Sequence, residues 1–171
     1  MSSTSIFTTR KLEKTVKGFL TKEVSENEDS FGGWVANLFH VSHKKCWILI
    51  HQQTKYILVF PNIRKPDLED ISTVFKEAFY GQLIYDGIFV DYDFIDKIIG
   101  DVNLRPTNND RSSLGILNYC LENFDEWKKQ YVTFENMPFR DLNNRLNRIP
   151  YSFLKLKYPK EEMSVFLNEL T

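Results

Sequence analysis

Three apolar, β-rich runs separated by two short polar breaks constrain this chain more than any other feature. Trp34–Val41 alternates, and Cys46–Ile50 and Tyr56–Phe60 are rich in β-branched and aromatic residues. The breaks, Ser42–Lys45 and Gln52–Lys55, have the length of hairpin loops. Links this short cannot carry a parallel crossover, so the pattern predicts an antiparallel meander. Pro61 and Pro66 close it.

Around the meander the spacing predicts helices. Ile6–Thr8 reads as a short strand, after which Thr9 caps a helix through Leu12, Val16 and Phe19. Residues 21–33 read as a polar loop, either a mobile flap or a plain exposed loop. Asp67 reads as an N-cap, followed at helical spacing by Leu68, Ile71, Val74, Phe75, Ala78, Phe79 and Leu83. Asp91–Ile99 reads as a helix stopped by Gly100, and Val102–Arg105 as a strand. Asn108-Asn109-Asp110 signals a turn and cap before an amphipathic helix carrying Leu114, Leu117, Leu121, Phe124 and Trp127. Pro138 opens a helix over about Arg140–Asn147. Tyr151–Lys157 alternates like a strand, and Pro159 starts a last helix. Strands first and helices after imply an α+β fold: a meander of four to five antiparallel strands with helices mainly on one face. No linker or repeat interrupts residues 1–171, so one domain is expected.

Composition excludes several classes. Of 171 residues, 42% are hydrophobic and 15% aromatic, too rich for a disordered chain. The formal net charge of −1 lacks the basic surplus of a phosphate-gripping nucleic-acid binder. No window is apolar for long enough to span a bilayer, and the first ten residues hold no signal core. Cys46 and Cys120 sit in apolar runs and read as buried free thiols. A cytoplasmic protein without membrane association is expected.

Charge is uneven. Asp86, Asp91, Asp93, Asp96 and Asp101 face one lysine over residues 86–101, and Arg140, Arg145, Arg148, Lys155, Lys157 and Lys160 face one aspartate over residues 140–160. Both read as solvated faces, and Arg145, Arg148 and Lys155 are the candidates for a partner-docking surface.

No phosphate loop, His-Glu-x-x-His, Cys-x-x-Cys or Gly-x-Ser-x-Gly is present, so no catalytic residue is assigned and no cofactor expected. His40, His43 and His51 lie at opposite ends of the middle strand and read as surface turn residues, without a metal site. Two polar runs remain. In Thr107–Gly115, Arg111 stands in the first helical turn, where the dipole disfavours a cation, so a specific acceptor such as Asp110, a buried carboxylate or backbone carbonyls is expected for it. Gly115 inside the helix suggests close packing there. Arg111, Gly115 and Asn118 share a face. In Asp141–Pro150, Asn144, Asn147 and Arg148 share another. Arg111, Asn118, Asn144, Asn147 and Arg148 are the candidate ligand-binding set. The alternatives are a clamp for a phosphate-bearing molecule or a buried Asn/Arg network locking helix to sheet. Trp34 reads as a core anchor, with Asn37 on the opposite pleat.

Thr9-Arg10-Lys11-Leu12, Trp34-x-Ala36-Asn37-Leu38, Asn109–Gly115 with Asn118, Asn144-x-x-Asn147-Arg148-x-Pro150 and Tyr158-Pro159 together resemble an uncharacterised bacterial family. It is a domain of unknown function found in small stand-alone proteins, on plasmids and on mobile elements. The resemblance spans roughly residues 6 to 165 and implies one domain but no activity. The leading expectation is a non-enzymatic binding or regulatory protein with a protein partner or a second copy of itself. An enzyme or binder of a phosphate-bearing ligand is the alternative, and a nucleic-acid binder the second.

Overall fold

A computed structural model describes residues 2–21, 31–151, 154, 155 and 157–171. Most of the loop expected over 21–33 lies outside the described residues. The chain is α+β, with a five-stranded sheet built from β1 (Ser3–Thr8), β2 (Trp34–Val41), β3 (Lys44–His51), β4 (Ile57–Phe60) and β5 (Asp101–Arg105). Strand order is β4-β3-β2-β1-β5.

The meander forms as the breaks dictate. β2 and β3 pair antiparallel from Trp34↔His51 to Val41↔Lys44, and β3 pairs β4 from Trp47↔Phe60 to Ile50↔Ile57. Between β2 and β3, Ser42 and His43 take φ of 49° and 66°, the left-handed pair that matches a two-residue turn to strand twist. The other half departs from expectation: β1 runs parallel to both β2 and β5, so the sheet is mixed. The Thr9–Gly33 connection is long enough for that crossover.

Helices cover both faces, not mainly one. α1 (Arg10–Glu13), α2 (Lys65–Glu69), α3 (Ile71–Tyr85), α4 (Tyr92–Ile99) and α7 (Pro159–Glu169) belong to one side, and α5 (Arg111–Gln130) and α6 (Phe139–Leu146) to the other. The pleat sorts the core accordingly. Trp34, Ala36, Leu38, Trp47, Leu49, Leu58 and Phe60 pack toward Phe75, Phe79, Ile95 and Phe166. Val35, Phe39, Val41, Cys46, Ile48, Ile50, Ile57 and Val59 pack toward Leu117, Phe124, Leu142 and Leu146. β4 and the Cys46–Ile50 stretch of β3 are therefore continuously apolar, the signature of strands buried on both faces. Trp34 anchors the first layer among Phe31, Phe75, Phe79 and His51, and its Nε1–H has no acceptor among the described residues.

Local ends differ from the pattern in instructive ways. Thr9 does cap α1: its Oγ1 accepts from the Leu12 N–H at 3.3 Å and donates to Asn37 Oδ1 at 2.7 Å. The helix stops after one turn, and Lys17–Phe19 forms a separate 3-10 turn. Asp67 is not an N-cap but sits inside α2, accepting from the Arg64 N–H at 2.8 Å, and the chain breaks at Asp70 before α3. Of the strand expected over Tyr151–Lys157, residues 152, 153 and 156 lie outside the described residues; Tyr151 and Lys157 make an isolated bridge, and Lys155 takes a φ of 54°.

The outer side of β4 is closed by side chains. Asn143 Oδ1 accepts from the Val59 N–H (3.0 Å) and Asn147 Oδ1 from the Ile57 N–H (2.7 Å). Both amides donate back to the Ile57 carbonyl, at 2.8 and 3.0 Å. Helix α6 thus stands where a sixth strand would pair. Replacing Asn147 by Ala orphans the Ile57 N–H, so Asn147→Ala should cost about 2–4 kcal/mol in urea unfolding. It should also promote concentration-dependent association through the opened edge. A loss no larger than that of exposed Asn118→Ala would show that the amides do not close the edge.

Candidate functional site

The two polar runs singled out in the sequence go to different places. Asn144 and Asn147 turn toward Asp86, the residue that ends α3. Asp86 is 2% exposed, not part of the solvated acidic face, whereas Asp91, Asp93, Asp96 and Asp101 are exposed. Its carboxyl accepts from Gln82 Nε2 (2.9 Å), Asn144 Nδ2 (2.7 Å), Asn147 Nδ2 (3.2 Å) and the Tyr56 hydroxyl. Burial, and then Asp86 itself, push the Tyr56 hydroxyl well above its ordinary range, so it stays a donor. A carboxyl at a helix C-terminus opposes the dipole, and four donors offset that. This part of the cluster joins α3, α6 and β4.

Arg111, Gly115 and Asn118 go to the surface of α5. The start of that helix is held from below. Asp110 caps it, accepting from the Ser113 N–H at 3.1 Å and the Ser113 hydroxyl at 2.6 Å. Gln52 Nε2 donates to the same carboxylate at 2.9 Å, and Lys55 Nζ donates to Ser113 Oγ at 3.2 Å. Burial raises the Asp110 carboxyl, but the Ser113 and Gln52 donors and the Lys55 charge outweigh it and hold it below its usual range. Burial lowers Lys55, against the pull of Asp110. Ser113 is wholly buried and gives its proton to Asp110, so these four residues fix α5 to the β3–β4 turn and offer no exposed nucleophile.

With Asp110 committed, Arg111 lacks the acceptor expected for it: it has no hydrogen-bond or ion-pair partner among the described residues. Gly115 lacks the close packing expected among the described residues, since a Cβ there would meet none of their atoms within 4 Å. Both open onto a groove of about 540 Å³ walled by Tyr119, Ile149, Pro150 and Tyr151. Tyr151 shields Cys120, whose thiol burial pushes up to about 12. Both cysteines are free and buried, and neither is poised as a thiolate.

Among the partner-docking candidates, Arg145 is paired with Asp141 at 3.0 Å. Arg148 and Lys155 are exposed and make no ion pair among the described residues. Arg148 immediately precedes the Ile149–Tyr151 wall. No group of three metal-ligating side chains occurs among the described residues, and no helix there is long and apolar enough to cross a membrane.

His51 corrects the reading of the histidines as surface residues. It is fully buried between Phe31 and Trp34. Nδ1 accepts from the Thr54 hydroxyl at 2.9 Å and Nε2–H donates to the Phe31 carbonyl at 2.7 Å, which requires the neutral ring. Burial lowers it to about 4; the Phe31 bond opposes this and Lys55 adds to it. Gly32 passes close above: a Cβ there would lie 3.1 Å from His51 Nε2, and its φ of 92° suits glycine. Between pH 6.5 and about 4 the unfolded chain takes up a proton that the fold refuses. Stability should therefore fall as pH drops through that window, by on the order of 3 kcal/mol in total. Denaturant unfolding at stepped pH should show that slope and lose it in His51→Gln; an unchanged slope would exclude His51 as its source.

No curated protein and no solved structure matches the chain. A family model does, over residues 5–162. The pieces it spans meet in space: Thr9 bonds Asn37, Gln52 bonds Asp110, and Asn147 closes β4. The chain belongs to the family described as Domain of unknown function (DUF6933).

Proposed function

We propose that this protein is a non-enzymatic, cytoplasmic binding protein that docks an acidic segment of a partner protein in the groove between α5 and Ile149–Tyr151. The observation that carries this reading is the pairing of Arg111 with Gly115. A guanidinium without a counter-charge among the described residues stands one helical turn from a glycine with open space above it. Glycine in a helix costs up to about 1 kcal/mol relative to alanine, and no packing among the described residues offsets it here. A partner carboxylate would engage Arg111 bidentately, and an adjacent apolar side chain would lie over Gly115 against Tyr119, Ile149 and Pro150. Arg148 and Lys155 supply a basic rim that favours an acidic partner.

The same geometry favours docking over a phosphate clamp made from Arg111, Asn118, Asn144, Asn147 and Arg148. Asn144 and Asn147 are committed to Asp86, and Asn147 also to β4. The pairing of Arg145 with Asp141 weakens residues 140–160 as a nucleic-acid stripe. An accessory role in a bacterium or on a mobile element accords with the resemblance noted from the sequence.

Panning a random peptide library against the purified chain tests the reading. Enriched peptides should carry Asp or Glu beside an aliphatic or aromatic residue. Arg111→Glu should weaken their binding at least tenfold, about 1.4 kcal/mol. Gly115→Leu should abolish binding while keeping or raising the melting temperature, because leucine is the better helix former. Binding that survives Gly115→Leu, or no enrichment at all, would overturn the groove as the docking site.

A further inference from the structure

We infer that a second site, on the opposite face of the sheet from the α5 groove, takes a small phosphate-bearing ligand. A cleft of about 300 Å³ lies between the turn Thr15–Phe19, the start of β3 and α2. Three cations line it: Lys45 from β3, and Arg64 and Lys65 from the entry to α2. No acidic side chain lines it among the described residues. Its apolar walls come from Phe19, Trp47 and Leu68.

Three observations point to a ligand. The side chains of Lys45, Arg64 and Lys65 have no ion-pair or hydrogen-bond partner among the described residues. The nearby Asp67 carboxylate is spent on the Arg64 backbone N–H. The cations are also carried on fixed backbone, because the Ile63 N–H donates to the Lys45 carbonyl at 2.8 Å and ties the approach to α2 onto β3. Like charges gathered on one cleft repel, and an anion relieves that repulsion. A phosphate carries enough charge and enough acceptor oxygens to engage an arginine and two lysines together. The cleft is at the small end of ligand-pocket volumes, which suits one phosphorylated molecule whose organic part rests on Phe19, Trp47 and Leu68.

Calorimetric titration of the full chain with inorganic pyrophosphate, AMP, ATP and adenosine tests this. AMP and ATP should bind at one site per chain, ATP more tightly, with affinity falling as salt rises. Adenosine should not bind. Lys45→Glu with Lys65→Glu should weaken ATP binding at least tenfold with the melting temperature unchanged, and Arg111→Glu should leave it unaltered. That last variant separates this site from the α5 groove. ATP binding that persists in the double variant, adenosine binding as well as AMP, or no binding by any probe would overturn the inference. A short single-stranded oligonucleotide binding more tightly than ATP would overturn the commitment to a small ligand.

Discussion

The outer side of β4 has no strand to pair with, and two asparagine amides take that strand's place. An unpaired edge leaves backbone donors and acceptors either unsatisfied or open to another chain. Asn143 and Asn147 answer the Ile57 and Val59 groups, and Asn147 also reaches Asp86. Because Asp86 ends α3 and binds Tyr56 and Gln82 as well, one buried polar network joins an edge strand to helices from both faces of the sheet. The backbone carbonyl of Asn147 continues the chain of contacts by accepting from the Lys160 N–H at 3.0 Å, at the start of α7. Such a network is worth more satisfied than its pairs suggest, and is costly when one member is lost.

A second anchor sets where surface chemistry can occur. Lys55, Ser113, Asp110 and Gln52 bind the first turn of α5 to the turn between β3 and β4. This spends the carboxylate that would have neutralised Arg111 and leaves the guanidinium beside Gly115. The two faces of the sheet then differ in what they offer. One presents an apolar groove with an arginine at its end; the other presents a small cleft gathering three cations. Neither depends on a catalytic group, since the buried thiols and Ser113 are each withdrawn from solvent.

Much of the local structure was legible. Period-two alternation in β2, β-rich apolar runs in β3 and β4 and the hairpin-length breaks specify the meander, and helical spacing specifies α3, α4, α5 and α7. Trp34 as anchor and Asp110 as cap follow from residue type and position. Three features were illegible, overlooked or only partly legible. The parallel pairing of β1 with β5 joins Ser3 to Asp101, a contact that no local pattern encodes. Helices on both faces were signalled by the unbroken apolar runs of β3 and β4, which pleat alternation does not require. The Asn-rich run gave a true sign of side-chain-to-backbone bonding, but the carboxyl that completes it, Asp86, is remote in sequence and looked like part of an acidic surface.

Sequence alone determined the α+β class, the antiparallel meander, the capped amphipathic α5 and the absence of standard catalytic motifs, because propensity, spacing and turn chemistry act within about ten residues of each other. Tertiary structure decided which polar groups were consumed and which stayed available. Asn144, Asn147 and Asp110 are held by distant partners, and Arg111, Arg148, Lys45, Arg64 and Lys65 are left without ion-pair partners among the described residues. Whether a polar side chain braces the fold or faces a ligand depends on what the folded chain brings within hydrogen-bond distance of it, and that is settled only when remote segments pack.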